Sequence, residues 1–321
     1  MSSPHRLPTL RPSERRPDPA AVTVPDEVVL AELAGAASEL LERHLSRAKE
    51  WFPHEHVPWS RGRDFVPGEP TIDEPALPDA VQSALVVNLL TEDNLPYYTQ
   101  ALSSLVGHDG VWGTWTRRWT AEEDRHSTVI RDYLCVTRSV DLVALERSRM
   151  AQLQTGFLPT TVPTVLDLFV YLALQELATR IAHRNTGALL GDPFGLEVMS
   201  RVAADENLHY LFYRDLVTRA LVVFPSATVA AIERQVRTFE MPGTGIQGFA
   251  EHARRIARAG IYDVPTHLTR IVEPTVLRDW DIEHLELPSG QATELRDKAV
   301  EFVGRLRKVV ARMQERAAAA R

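Results

Sequence analysis

The sequence predicts an all-α protein in which four long core helices are extended by further helices on the C-terminal side. Apolar residues recur with the period of a helix, and strand-like alternation never persists beyond a few residues. The core segments fall into two pairs, with a glycine-containing breaker near the middle of each pair, at 107–110 and 191–193. Each pair also carries glutamate and histidine at a matching spacing. Together these observations predict two helical hairpins that close into one bundle.

Length and composition limit the class of protein. At 321 residues, 44% hydrophobic and 25% charged, the chain has the balance of a globular protein. The net charge of −7 argues against a nucleic-acid binder. Cys135 is the single cysteine, which excludes an internal disulfide, a structural zinc cluster and an iron–sulfur centre within one chain. No apolar run is long enough to span a bilayer and no secretory signal is present, so we expect a cytoplasmic protein.

Three segments precede the bundle. Residues 1–24 contain five prolines among arginines and serines, which is typical of a disordered tail. Residues 26–48 have the apolar stripe of an amphipathic helix. Residues 50–78 contain six prolines, and a loop of this length usually has a function or covers the core. We interpret residues 25–321 as one domain.

Four apolar helical segments form the predicted bundle, which spans residues 79–223. They lie at 79–106, 110–138, 162–190 and 194–223, and a shorter helix at 141–155 joins the two hairpins. Pro96 lies four residues after Glu92 and deprives the Glu92 carbonyl of its helical partner, which predicts a kink. The kink either opens the bundle beside Glu92 or is simply tolerated. Further helices are predicted within 226–319, at 226–240, 246–259, 265–280 and 290–319.

Each hairpin carries one glutamate on its first arm and a Glu-x-x-His pair on its second. The candidate metal ligands are Glu92, Glu123, His126, Glu176, Glu206 and His209. The three-residue spacing within a pair puts its glutamate and histidine on one side of a helix. The first glutamate precedes the pair by 31 residues in one hairpin and by 30 in the other. At 1.5 Å per residue, both arms therefore bring their ligands to about 20 Å from the turn, so that the carboxylates meet at one level.

This pattern is the ligand set of ferritin-like four-helix bundles that bind two iron ions. Buried without a cation, the carboxylates would repel one another, at a cost on the order of several kcal/mol for each desolvated charge. A proton-sharing network is the alternative. Carboxylates with a minority of imidazoles favour iron or manganese over zinc. Such a centre can activate O2, store iron or generate a radical, and the ligands alone leave these chemistries open.

Longer motifs surround the ligands, and with them the sequence resembles the soluble acyl-[acyl-carrier-protein] desaturases, the family of the stearoyl-ACP desaturases. The resemblance runs from about residue 26 to 315, in the order and spacing of that family. The stretches that carry it are TEDNLP at 91–96, WTAEEDRH at 119–126, QELAT at 175–179, HRNT at 183–186 and ADENLH at 204–209. All six iron-ligand positions of the family carry the expected residue types.

The resemblance implies an oxidoreductase of fatty acid biosynthesis, with two iron ions (Fe2+). It would introduce a cis double bond into an acyl chain carried on acyl carrier protein, using O2. It also implies a homodimer and a ferredoxin as the electron donor, and the single cysteine agrees with an external source of electrons. In the family, the residues at Glu123 and Glu206 bridge the irons, and the other four ligands are terminal.

The resemblance also implies roles around the ligands. Asp205 matches an aspartate that orients a ligand histidine on the electron route. A tryptophan on that route corresponds to Trp59 or Trp51, and we favour Trp59. Thr179 matches a threonine that relays protons near the O2 site, although a helix threonine that bonds its own backbone is the alternative. The acyl cavity is expected near three residues, Ala101, Ser104 and Leu105.

Two departures from the plant members of the family concern charge. Asn207 and Leu208 replace a basic pair near the face that would meet the carrier, and Asp124 replaces an asparagine beside the ligands. Arg47 and Lys49 are candidate docking residues because acyl carrier proteins are acidic, or else they form an ordinary solvated helix end.

Other functions use the same ligands. One is a di-iron oxygenase or hydroxylase that acts on a different acyl thioester or carrier-bound substrate. Another is an iron-binding ferritin-like protein, although storage proteins are typically shorter than this chain. The last alternative is a purely structural bundle, in which these residues form only a polar network in the core.

Overall fold

The computed structural model describes residues 18–73, 77–158 and 162–319, and within these ranges it contains helices, turns and loops but no strand. The predicted all-α fold is confirmed. The α-helices, in chain order, are α1 (Asp26–Arg47), α2 (Pro53–His56), α3 (Asp79–Glu92), α4 (Leu95–Val106), α5 (Gly110–Thr137), α6 (Leu142–Thr155), α7 (Val165–Leu189), α8 (Pro193–Val223), α9 (Pro225–Thr238), α10 (Phe249–Arg258), α11 (Val264–His267) and α12 (Gly290–Ala319). A π-helix, Leu268–Asp279, continues directly from α11. None of the described helices combines the length and hydrophobicity that a membrane span needs.

Helices α3, α5, α7 and α8 form the core of the bundle. Helix α7 is buried on every side from Val165 to Leu174, which explains its unbroken apolar run. Helix α1 packs on α5, α7 and α8, α9 packs on α7 and α8, and α12 packs on α9. Gly107 and Gly191 have positive φ angles at the turns of the two hairpins, where a left-handed backbone favours glycine. The hairpin turns therefore lie at the two breakers that the sequence predicts.

The first predicted core helix is two helices. Helix α3 ends at Glu92, and α4 begins at Leu95 with Pro96 in its first turn, where a missing N–H does no harm. The predicted kink is therefore a complete break, directly after a candidate ligand.

The break is held by residues at the end of α6. Asn94 is fully buried, and its amide nitrogen donates to the carbonyl of Phe157 at 2.7 Å. Its Oδ1 accepts from the Phe157 N–H at 2.9 Å and from Gln152 Nε2 at 3.1 Å. Asp93 forms a two-pronged ion pair with Arg149, with distances of 2.6 and 3.0 Å. These side-chain contacts tie the break to α6 and to Phe157, so the break is a defined joint.

Other differences are local. The segment 265–280, predicted as one α-helix, is largely the π-helix, in which the Trp280 N–H donates to the Thr275 carbonyl five residues back. The long loop at 50–78 contains α2 and a 3₁₀ turn, Trp59–Arg61. Of the predicted tail, residues 1–17 lie outside the described residues. The Pro19 carbonyl, within the same predicted tail, accepts a hydrogen bond from the Ser226 hydroxyl.

Asn94→Ala tests the joint between α3 and α4. We expect it to lower the free energy of unfolding of the metal-free protein by about 2–4 kcal/mol, because the Phe157 N–H and the buried Gln152 amide lose their acceptor. Urea unfolding followed by circular dichroism measures the change. The matched control is Asn185→Ala, which removes one hydrogen bond to the Ile261 carbonyl and should cost about 1 kcal/mol. Equal losses of unfolding free energy in the two variants would contradict a special role of Asn94.

Candidate metal centre

The structure brings all six predicted ligands together inside the core. Glu92 ends α3, α7 supplies Glu176, and the two Glu-x-x-His pairs lie on α5 and α8. All six side chains are buried, the most exposed being Glu123 at 7%. The sequence predicts that the ligands lie at equal distances from the hairpin turns. The structure accordingly places them at one level of the bundle.

The ligands form two overlapping groups of four. Within each group, one nitrogen or oxygen atom from every member lies within 4.8 Å of the others. The first group is Glu92, Glu123, His126 and Glu206, and the second is Glu123, Glu176, Glu206 and His209. Glu123 and Glu206 belong to both groups, which is what a pair of carboxylates shared between two cations requires.

Both histidines direct Nδ1 toward the centre of the cluster. His126 Nδ1 lies 3.5 Å from Glu123 Oε2 and 3.7 Å from Glu92 Oε2. His209 Nδ1 lies 2.8 Å from Glu123 Oε1 and 3.6 Å from Glu176 Oε2. Nδ1 is therefore the candidate ligand atom of each ring.

Several buried atoms of the cluster make no hydrogen bond of normal geometry among the described residues, although His209 Nδ1 and Glu123 Oε1 lie 2.8 Å apart. These atoms are Glu123 Oε1, His126 Nδ1, Glu176 Oε2, Glu206 Oε2 and His209 Nδ1. A buried polar atom without a partner costs about 1–3 kcal/mol. All of these atoms belong to the two groups of ligands, so cations bound in the groups would satisfy them together. The residues present fit a metal centre.

The outward-facing nitrogen of each histidine meets a carboxylate from the opposite helix. His126 Nε2, on α5, lies 3.5 Å from Asp205 Oδ2 on α8. His209 Nε2, on α8, lies 3.0 Å from Glu122 Oε2 on α5. Each acidic residue directly precedes the ligand glutamate of its own helix. A carboxylate in this position fixes the tautomer and orientation of a metal-binding imidazole.

Glu122 is a residue of the candidate site that the sequence prediction lacks. The signal for it was present, because an acidic residue stands before the glutamate in both Glu-x-x-His pairs. Burial by itself would raise the pKa of Glu122, but hydrogen bonds from His209 and His44 outweigh burial and hold the pKa well below its usual range. Glu122 is therefore a stable anion beside His209.

Trp51, and not the favoured Trp59, contacts Asp205. The Trp51 indole N–H donates to Asp205 Oδ2 at 2.8 Å, and Trp51 is 3% exposed. Trp59 is 50% exposed, and its indole N–H donates to the carbonyl of His54. Arg125 also binds Asp205 Oδ2, at 2.9 Å. The loop fold brings Trp51, and not Trp59, to Asp205, because it turns Trp51 inward and leaves Trp59 at the surface.

His183 is a second residue absent from the predicted site. Its Nε2 lies 3.0 Å from Glu92 Oε1 and 3.4 Å from Glu206 Oε1. Burial lowers the pKa of His183, but the hydrogen bonds that it donates to Glu206 and Glu92 outweigh burial and raise the pKa to about 9. Thr179 is buried nearby, and its hydroxyl donates to the Glu176 carbonyl of its own helix at 3.1 Å. Thr179 thus makes the local backbone bond that the sequence left as an alternative.

Protons compete with cations in the cluster. Burial and the charge of Glu206 raise the pKa of Glu176 well above its usual range, and the same causes raise the pKa of Glu123. Burial lowers the pKa of His126 and His209, but neighbouring carboxylates outweigh it and raise both pKa values well above that of free histidine. The metal-free cluster therefore retains protons at neutral pH, which a metal ion must displace.

A cavity of about 440 Å3 adjoins the cluster. Glu92, Glu123 and Glu206 contribute to its lining, and most of the rest is apolar. Its walls include all three residues predicted to line the acyl cavity, Ala101, Ser104 and Leu105. The cavity therefore places apolar space directly beside the candidate ligands.

The positions singled out for their charge lie farther out. Asp124 is exposed, so it does not add a carboxylate to the buried cluster as its sequence position suggested. Arg47 and Lys49 are exposed at the end of α1, while Asn207 and Leu208 are half-buried on α8. Helix geometry explains the exposure of the Asp124 side chain, because a residue directly after a ligand points to a different side of the helix.

Comparisons with known proteins find similar sequences and a similar fold along most of the chain. A family model described as fatty acid desaturase matches residues 26–321. The "Putative acyl-[acyl-carrier-protein] desaturase DesA1" of Mycobacterium tuberculosis is 41% identical over 283 residues, which cover 85% of this chain and 83% of that protein. The chloroplastic stearoyl-[acyl-carrier-protein] 9-desaturase of Spinacia oleracea is 30% identical over 309 residues, 90% of this chain and 77% of that protein. The crystal structure of "putative acyl-ACP desaturase DesA2" from M. tuberculosis H37Rv matches with a TM-score of 0.66 and 27% identity, covering 84% of this chain and 99% of that chain.

Metal binding should release protons. Because the pKa values of Glu176, His126 and His209 are raised, the cluster binds protons at pH 7 that a divalent cation displaces, so affinity should fall as the pH is lowered. Calorimetric titration of the metal-free protein with Co2+, in buffers of different ionisation enthalpy, measures the protons released. We expect at least about one proton for each ion bound at pH 7. The control is Glu123→Gln with Glu206→Gln, which lacks both shared carboxylates. Proton release of zero in the unaltered protein would contradict the predicted competition.

Proposed function

This chain belongs to the fatty acid desaturase family, and we propose from that premise that it is an O2-dependent acyl-[acyl-carrier-protein] desaturase of fatty acid biosynthesis. It would introduce a cis double bond into a saturated acyl chain. The observation that carries the proposal is the pair of overlapping ligand groups beside an apolar cavity. A ligand cluster alone suits several chemistries, but the adjoining cavity suits an acyl chain.

Two iron ions are the proposed cofactor. Glu123 and Glu206 would be shared between them, with Glu92 and His126 completing one site and Glu176 and His209 the other, as in the two ligand groups. Four carboxylates and two imidazoles suit iron or manganese better than zinc. When bound, the iron pair supplies the reduction of O2 and the oxidising power that removes two hydrogen atoms from adjacent carbons of the acyl chain.

The residues of this chain would position the substrate and the ligands. The apolar walls of the cavity bind the acyl chain and exclude water from the reacting carbons. Trp119, which lines the cavity, donates its indole N–H to Glu176 Oε1 at 3.1 Å and so holds that carboxylate. Asp205 and Glu122 hold the two ligand imidazoles. The protein thus supplies position and a dry environment, while the cofactor supplies the oxidation.

Electrons would come from a separate protein, for which we propose a ferredoxin. A route through Trp51, Asp205 and His126 is continuous, with 2.8 Å between the first two side chains and 3.5 Å between the last two. The guanidinium groups of Arg125 and Arg201 lie over the Trp51 ring at 4.7 and 5.7 Å, and their charge suits an acidic donor. A homodimer and acyl carrier protein as the carrier are further parts of the proposal, supported by the resemblance and by the names of the relatives.

Product analysis tests the proposed reaction. The iron-loaded protein should convert stearoyl- or palmitoyl-ACP, with O2, ferredoxin and ferredoxin reductase, into a product that lacks two hydrogen atoms by mass spectrometry. The matched control is Glu206→Gln, which removes a shared carboxylate and should abolish turnover. A gain of oxygen would identify an oxygenase or hydroxylase instead. Iron uptake without any product, over several acyl lengths, would favour an iron-binding protein.

Replacement of the two tryptophans tests the electron route. Trp51→Phe keeps a ring in the buried site but removes the indole N–H bound to Asp205, and we expect a fall in turnover of about 10-fold or more. Trp59→Phe, at the exposed position, should stay within about twofold of the unaltered enzyme. Stopped-flow reduction by ferredoxin measures the step directly. Equal rates in the two variants would exclude Trp51 from the route.

A further inference from the structure

The two halves of the cluster differ in how closely their histidine is held. His209 Nε2 lies 3.0 Å from the carboxylate of Glu122, a normal hydrogen bond. His126 Nε2 lies 3.5 Å from Asp205, and Asp205 also accepts from Trp51 and Arg125 through the same oxygen. Asp205 Oδ2 therefore serves three donors, whereas Glu122 Oε2 serves two, and Asp205 Oδ2 also lies farther from its histidine.

Glu122 is held by a residue from outside the four core helices. His44, on α1, directs Nε2 to the same Oε2 of Glu122 at 2.8 Å, and Arg118 approaches Oε1 at 2.5 Å. His44 is 4% exposed. Its ring meets the edge of Trp115 at a centroid distance of 5.0 Å and lies nearly parallel to the ring of His209 at 5.8 Å. His44 is thus a buried imidazole that the proposed function does not use.

The hydrogen bonds to Glu122 determine which ring nitrogen of His44 and of His209 carries a proton. An ionised carboxylate only accepts hydrogen bonds, so His44 and His209 must both present an N–H at Nε2. When His209 is neutral, as a metal ligand must be, this tautomer leaves the lone pair on Nδ1, the atom that faces Glu123 and Glu176. His44, Glu122 and His209 also lie close enough together to resemble a third metal group. A cation there would need the Nε2 lone pair of His209, which is incompatible with a neutral ring that binds metal through Nδ1.

We infer that His44 and Glu122 preorganise the half of the cluster that contains His209, so that this half binds the first divalent cation and the half that contains His126 binds the second. The inference rests on the proposed two-metal site. His44 is a positioning residue, since it acts through Glu122. A ligand that is already oriented loses less freedom on binding, and removal of such an outer partner typically weakens metal affinity about 10- to 100-fold.

Titration of the metal-free full-length protein with Co2+ tests the order of binding. Calorimetry reports the affinities, and the visible absorption of Co2+ reports the ligand geometry. The unaltered protein should bind two ions in two steps, the first tighter than the second. His44→Phe keeps the ring against Trp115 but removes the N–H to Glu122, and it should weaken the first step about 10-fold or more while leaving the second within about twofold. Asp205→Asn should instead weaken the second step.

Two further variants separate positioning from general damage. His44→Gln retains an amide N–H that can reach Glu122 and should restore part of the first-step affinity, whereas His44→Asn is too short and should not. The latter replaces His44→Phe if the phenylalanine variant does not fold. Unaltered protein that binds fewer than two Co2+ ions would refute the proposed two-metal site itself. The inference about His44 alone would be overturned by a different result. In that case the protein binds two ions, but replacing His44 by phenylalanine or asparagine leaves the affinities of both steps unchanged or weakens them equally.

Discussion

Like charges buried together are the constraint on which the rest of the structure depends. Glu92, Glu123, Glu176 and Glu206 meet in a region from which water is excluded, and each is at most 7% exposed. Their mutual repulsion and the loss of hydration can be offset only by protons or by cations. The unpartnered oxygen and nitrogen atoms in the middle of the cluster favour cations. The helices must therefore be stiff enough to keep these side chains together until the cations bind.

The arrangement around the ligands meets this requirement by pairing the two helices that carry Glu-x-x-His. The residue before each ligand glutamate reaches across to the histidine of the other helix, so α5 and α8 hold each other's ligands. This reciprocity links the positions of the metal sites to the packing of the two helices. Further contacts make the two sides unequal, with Trp51 and Arg125 on Asp205, and His44 on Glu122.

The break after Glu92 lets one stretch of chain supply both a ligand and a wall of the adjoining cavity. A continuous helix from 79 to 106 would keep its axis beyond Glu92, whereas α4 starts afresh after Asn94. Ala101, Ser104 and Leu105 of α4 line the cavity, so the direction of α4 determines one of its walls. The hydrogen bonds of Asn94 to Phe157 and Gln152 hold that direction. The joint therefore couples a ligand, a wall of the cavity and the segment that follows α6.

The sequence by itself determined most of the helices, the two hairpins and the six candidate ligands, because these depend on local periodicity and on the constant rise of a helix. Tertiary structure decided what surrounds the ligands. His44 and Glu122 are 78 residues apart, and Glu92 and His183 are 91 apart, so no local pattern predicts their contacts. The contact of Asp205 with Trp51 and not Trp59 likewise depends on the path of an irregular loop. The extent of the break at Glu92 depends on partners that α6 supplies. Such contacts arise only when separate elements pack, and for that reason a one-dimensional pattern shows the ligands but not the residues that orient them.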